Sequence, residues 1–213
     1  MTPRVWINGA GMNGEVPPLE AAAHPLPDVA MVEDMAQAIV RDMPERADVI
    51  GHSLGGMVAM VIAATWPGRV RRLVIYESTY GVRTRIMDRI GTRVALFIAR
   101  VLSPRRIAAL TSIGQKPETV AAFRPLLEAA PHRQTMRQLR AAARFDGRPL
   151  LPRIAAPTLV LTGKQNSRTH AQARYMERHI PEARAQMLPG GHFAHLDDPV
   201  AFAAAVEGFL EAA

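Results

Sequence analysis

The residues best suited to do chemistry are the serine of Gly51-His52-Ser53-Leu54-Gly55 and the histidine of Gly191-His192. The first stretch has the G-x-S-x-G pattern, with an apolar run at 47–50 before it and a helix of small and apolar residues after it. A serine on such a strand-to-helix turn is held in a strained backbone, and side chains two positions to either side would strike neighbouring main chain. Glycine at 51 and 55 removes both collisions. The turn also sets the Leu54 backbone N–H at a helix N-terminus, where free donors and the helix dipole stabilise an oxyanion. Together these features point to a nucleophilic Ser53 and away from a chance Gly-Ser turn. His192 follows Pro189-Gly190-Gly191 at the end of a strand, on the edge where open α/β sheets bind ligands. An ordinary imidazole there takes up and returns a proton near neutrality. His195, three residues on, and His52, inside the turn, are read as packing residues.

These groups need a scaffold, and apolar runs alternating with helical periods supply a parallel sheet covered by helices. Strands are expected at 4–7, 47–50, 73–76, 158–161 and 184–188, and helices at about 32–41, from 54 to before Pro67, at 171–179 and at 200–210. Pro17, Pro18, Pro25 and Pro27 oppose any regular interior strand at 16–29. From 81 to about 145 no strand pattern appears; three or four helices are expected, broken at Ser103-Pro104, Lys116-Pro117 and Pro131. The chain therefore reads as an α/β core, 1–80 and 149–213, with a helical cap inserted at 81–148. No internal repeat or low-complexity segment interrupts it.

A chain of 213 residues, 48% hydrophobic and 21% charged, can bury one sizeable core, which argues against a disordered or fibrous protein. The absence of cysteine excludes disulfides, thiolate metal sites and a cysteine nucleophile. No apolar stretch is long enough for a signal peptide or a membrane span, so the cytoplasm is the expected compartment. Lysine and arginine number 26 against 19 acids, a net +7, and 24 of the 26 are arginine. The excess is local: residues 82–148 hold thirteen arginines and Lys116 against Asp88, Glu118, Glu128 and Asp146, a net +10 that leaves −3 for the rest. A basic cap would concentrate anionic substrates or an acidic carrier protein, unless it is only a solvated arginine surface. With Phe97, Phe123 and Phe145 as its aromatics and no zinc-finger or glycine-rich pattern, it does not read as a nucleic-acid site.

At this point the sequence resembles the α/β-hydrolase fold superfamily over nearly its whole length. Asn8-Gly9-Ala10-Gly11-Met12-Asn13 is similar to the His-Gly-x oxyanion loop, 51–56 to the elbow, and 157–163 to the strand before the catalytic acid. Gly191-His192-Phe193-Ala194-His195-Leu196-Asp197-Asp198-Pro199 is similar to the terminal histidine motif. Spacing and insert look closest to small pimeloyl-carrier-protein methyl ester esterases. The resemblance implies Ser53 as nucleophile, His192 as general base and acid, the Leu54 and Ala10 N–H groups as oxyanion hole, and no metal or organic cofactor. It also implies an acyl-carrier ester or thioester as a substrate that the basic cap would receive.

Two departures stand out. The slot in which the family usually carries its acid, three residues after the glycine ending the strand, holds Asn166, which supplies no charge. Some relatives carry the acid after the preceding strand instead, where this chain has Glu77; the alternative is a capping or solvated strand-end residue there, with Asn166 as third member of a weakened triad. Asp197 and Asp198 come too soon after His192 to reach under its ring, and Asp198 is expected to start the last helix. Second, the stretch between oxyanion loop and elbow is shorter than in relatives, which leaves a sheet edge to be covered by the proline-rich segment or by a second subunit. The function expected is cleavage of a carboxylic ester through an acyl-enzyme on Ser53. A non-catalytic binding protein on the same fold, or an acyltransferase or lyase on the same residues, are the rivals.

Overall fold

The computed structural model describes residues 2–81 and 86–212, with side chains at 86–89 left aside. Among them six strands form one sheet, ordered β2-β1-β3-β4-β5-β6, in which every neighbouring pair is parallel. The strands are β1 (Arg4–Ile7), β2 (Ala22–His24), β3 (Ala47–His52), β4 (Val70–Tyr76), β5 (Thr158–Gly163) and β6 (Ala183–Leu188). A parallel sheet must be covered on both faces, and every residue of β3 and of β5 is buried. The alternation of side chains splits the core in two. Val5, Ile7, Val49, Leu73, Ile75 and Val160 face α1 (Val32–Asp42), α2 (Leu54–Thr65) and α7 (Ser167–His179). Trp6, Ile50, Val74, Tyr76, Leu159 and Leu161 face α9 (Pro199–Leu210), where Phe202, Val206, Phe209 and Leu210 meet them.

Several elements extend beyond the limits that the apolar pattern sets, for physical reasons. Strand β4 starts at Val70 rather than 73 because two arginines hide its first residues. Arg71 reaches Asp48 at 2.5 Å and the Leu210 carbonyl at 2.8 Å, so its stem lies along the sheet while its charge is paired. Helix α7 begins at Ser167, four residues before the expected start. The proline-rich stretch yields β2, which pairs with β1 and covers that edge. Three residues bracketed by Pro18 and Pro25 are what a proline-bounded edge strand allows.

The insert carries four helices among the described residues: α3 (Ile86–Val101), α4 (Pro104–Thr111), α5 (Pro117–Ala129) and α6 (His132–Arg144). Their breaks fall at Ser103, Lys116 and Pro131, with proline opening α4 and α5 where its missing N–H costs nothing. Pro125 lies within α5 without ending it. Of the thirteen arginines, Arg83 and Arg85 lie outside the described residues. The short α8 (Ala194–Asp197) follows β6, and Asp198 caps α9 by accepting from the Ala201 N–H at 2.9 Å.

Phe202 is fully buried, with ring centroids 4.8 Å from Tyr76 and 5.9 Å from Trp6. Phe202→Ala should cost about 3–5 kcal/mol, lowering the Tm followed by circular dichroism by roughly 6–20 °C.

Candidate active site

Strand β3 passes into helix α2 through Ser53, whose φ of 54° and ψ of −116° lie in a region L-residues rarely adopt. Such a conformation costs about 1–3 kcal/mol and persists only where the surroundings over-determine it. Here they do. The Ser53 N–H donates to the Tyr76 carbonyl at 2.9 Å, and the Ser53 carbonyl accepts from the Gly56 N–H at 3.0 Å and from Ser78 Oγ at 2.6 Å. A Cβ at Gly51 would come within 2.4 Å of the Gly55 carbonyl oxygen, and one at Gly55 within 2.1 Å of the Ile7 carbonyl oxygen. Both partners are backbone, so neither glycine tolerates a side chain.

His192 stands in the loop after β6, and its Nδ1 lies 3.2 Å from Glu77 Oε2. The Glu77 side chain is fully buried at the end of β4, while that of His192 is about a third exposed. Glu77 has a left-handed backbone, φ 46°, and its carboxylate accepts from the Gly163 N–H and from Asn166 Nδ2. Asn166 therefore meets the carboxylate rather than the imidazole. With Nδ1 engaged, His192 Nε2 is left to the cavity that Ser53 also lines. That cavity, about 810 Å³, lies between core and cap: Ala10, Ser53, Leu54 and His192 border it from the core, Leu110 and Leu139 from the cap.

Cap residues that carried no sequence signal hold the loops of the site. Gln138 Oε1 on α6 accepts from the Gly11 N–H at 3.1 Å, beside Ala10. Thr119 Oγ1 on α5 donates to Asp197, whose other oxygen accepts from the Gly191 N–H at 2.9 Å. Phe123 stacks on Phe193 at 4.4 Å, and both pack with Met12. The cap, the loop after β1 and the His192 loop thus share one small apolar cluster.

Behind the histidine loop lies a buried polar group centred on Glu15. Its Oε1 accepts from His195 Nε2 at 2.7 Å, and its Oε2 accepts from Trp6 Nε1 at 3.3 Å and lies 3.6 Å from His52 Nδ1. Burial alone would raise the Glu15 pKa, but the His52 charge beside it and the hydrogen bond from His195 outweigh it and hold the carboxyl well below its usual range. Burial pushes the Tyr76 phenol up, which keeps it neutral. His195 and His52 are both buried, as packing residues would be.

A depressed carboxyl stays ionised in the folded chain where the unfolded chain takes up a proton. Its stabilisation is thus complete above the usual carboxylate range and lost as the pH falls below it. Between about pH 5 and pH 3 the urea midpoint of the parent should fall more steeply than that of Glu15→Gln, read by tryptophan fluorescence.

The family described as the alpha/beta hydrolase family matches residues 4–205. A pimeloyl-[acyl-carrier protein] methyl ester esterase of Neisseria meningitidis is 27% identical over 194 residues, 84% of this chain and 75% of that protein. A 3-oxoadipate enol-lactonase of Acinetobacter baylyi is 25% identical, over 78% of this chain and 64% of that one. The esterase structure from Exiguobacterium antarcticum superposes with a TM-score of 0.83 at 18% identity, covering 100% of this chain and 92% of the other. The strained serine elbow, the all-parallel sheet and the capped cavity are those of a chain that belongs to the alpha/beta hydrolase family.

Proposed function

We propose that the chain hydrolyses carboxylic esters or thioesters through an acyl-enzyme on Ser53. The observation that carries this reading is the fully buried Glu77 carboxylate 3.2 Å from His192 Nδ1, beside a cavity that His192 and Ser53 both line. With its Nδ1–H donated to Glu77, the ring presents Nε2 as the base. Nε2 removes the Ser53 proton as Oγ attacks the ester carbonyl, and the oxyanion is held by the Leu54 and Ala10 N–H groups. Collapse expels the alkoxide or thiolate, which takes the proton back from Nε2. Water, deprotonated by the same nitrogen, then attacks the acyl carbonyl, and collapse breaks the bond to Ser53 Oγ, which takes that proton back from Nε2 as the acid leaves. Asn166 and the Gly163 N–H orient the Glu77 carboxylate throughout. The reading as a non-catalytic scaffold draws on the amide at 166 and the shortened N-terminal half; against it, Glu77 supplies a carboxylate beside His192, and β2 covers the edge of β1.

Parent, Ser53→Ala, Glu77→Gln and Asn166→Asp, compared with a p-nitrophenyl ester and a fluorophosphonate probe, test the assignment. Ser53→Ala should take no label, and Glu77→Gln should lower kcat by roughly 10³–10⁴-fold. Asn166→Asp should lower kcat several-fold, because two carboxylates in contact force a proton onto one of them. Parent-like turnover by Glu77→Gln would remove Glu77 from the mechanism.

The substrate class we assign is an acyl ester presented by an acidic carrier protein. The curated relative named for a pimeloyl-carrier methyl ester supports it, as does the +10 insert. Helix α3 exposes Val94, Phe97 and Ile98 on the same helix as the exposed Arg93 and Arg100, a surface both apolar and cationic. Added salt should therefore lower kcat/KM for a carrier-borne ester several-fold between about 50 and 500 mM, while kcat/KM for a free methyl ester changes little. Equal salt response of the two esters would argue against carrier docking.

A further inference from the structure

His192 is gripped through its main chain as well as its ring. The His192 carbonyl oxygen lies 3.2 Å from His52 Nε2 and 3.3 Å from Tyr76 Oη. A carbonyl oxygen only accepts, so His52 Nε2–H donates to it, while the single Tyr76 hydroxyl proton is shared between this oxygen and His195 Nδ1 at 3.0 Å. The loop needs such a hold: His192 follows Gly190, at φ 100°, and Gly191, the two residues least able to stiffen a chain. The donor is also well chosen, because His52 directly precedes Ser53 on β3. One hydrogen bond therefore ties the main chain of the base to the residue adjoining the nucleophile.

His52 is held in turn from behind. Its Nδ1 faces Glu15 Oε2 at 3.6 Å, and the Glu15 carboxylate is fixed by Trp6 Nε1 at 3.3 Å, Asn8 Nδ2 at 3.5 Å and His195 Nε2 at 2.7 Å. Tyr76 Oη accepts from the His195 N–H at 3.0 Å, which brings the second donor into the same group. Apart from Asn8 Oδ1 and His52 Nδ1, each polar side-chain atom of this group has a hydrogen-bond partner, and none of its side chains lines the cavity. Its reach toward the chemistry is through the His192 carbonyl.

We infer that His52, anchored by Glu15, is a positioning residue that sets the separation of Ser53 from His192 by holding the His192 carbonyl. This rests on the ester-hydrolase reading above. A misplacement of about 1 Å at a reacting pair costs on the order of 10²-fold in rate, so loss of this donor acts on turnover and leaves substrate binding alone.

The test compares His52→Phe, which keeps a ring but has no donor, with His52→Gln, whose amide N–H can reach the position of Nε2. Because Phe strips Glu15 of one partner, Glu15→Gln/His52→Phe is measured beside it. The readouts are kcat and KM for a p-nitrophenyl ester, the rate of fluorophosphonate labelling, and the Tm. His52→Phe and the double variant should lose roughly 10- to 100-fold in kcat and in labelling rate, with KM within about twofold. His52→Gln should stay within about fivefold of the parent in both rates, and the loss in the double variant should persist even where its Tm recovers. A folded His52→Phe or double variant with parent rates overturns the inference; so does a folded His52→Gln as slow as His52→Phe. A parent that neither labels nor turns over would instead overturn the ester-hydrolase reading.

Discussion

The structure depends on the main-chain strain at Ser53, since a serine at φ 54° and ψ −116° must be held there by everything around it. Helix α2 is buried on all sides from Leu54 to Ala64, so it cannot rotate to relieve the turn. Gly55 brings that helix against the end of β1 so closely that a Cβ would overlap the Ile7 carbonyl. This contact sets where β1 ends, and with it where the Asn8 to Met12 loop begins. Gly9 consequently lies next to Ser53, its missing Cβ 3.4 Å from Ser53 Cβ. The Asn8 to Met12 loop is placed by the packing that enforces the strain.

The cap is fastened to the same loops. Gln138 holds the loop bearing Ala10, Thr119 reaches the Asp197 that accepts from Gly191, and Phe123 stacks on the residue after His192. In this half of the insert, α5 and α6 behave as part of the site's frame. On the other side, α3, the end of α4 and the turn after it expose Val94, Phe97, Leu110 and Ile113. Leu110 and Ile113 also line the cavity, so the less covered half of the cap borders its mouth. A frame fixed on one side and open on the other is compatible with the proposed carrier-borne ester.

Much of the fold was legible because the physics behind it is local. Strand-to-helix turns with glycine at two fixed offsets, proline at the first residue of α4 and α5, and apolar runs buried on both faces leave a mark in a short window. The start of β4 did not, because its arginines are paired with Asp48 and a helix carbonyl far along the chain. Nor did β2, whose existence depends on the edge of β1 rather than on its own residues, Ala22 to His24. In the site, Ser53 and His192 carry motif context, whereas Gln138, Thr119 and Glu15 do not. Glu15 meets His195 180 positions away, and no spacing rule connects an acid in one loop with a histidine in another. These residues act through tertiary contacts, and their types alone are ordinary.

The proposed choice of Glu77 over Asn166 shows the same limit and rests on charge. Strands β4 and β5 are neighbours, so the residue ending the first and the loop following the second arrive at one point beneath His192. Two carboxylates meeting there could not both stay ionised, and the proton they shared would weaken the hold on the imidazole. One carboxylate with an amide beside it avoids the conflict: Asn166 donates to one Glu77 oxygen and the Gly163 N–H to the other. These donors also stabilise a glutamate whose left-handed backbone would otherwise have no reason to persist. On the proposed assignment of Glu77, an amide in the acid's customary slot is thus what an acid on the neighbouring strand requires.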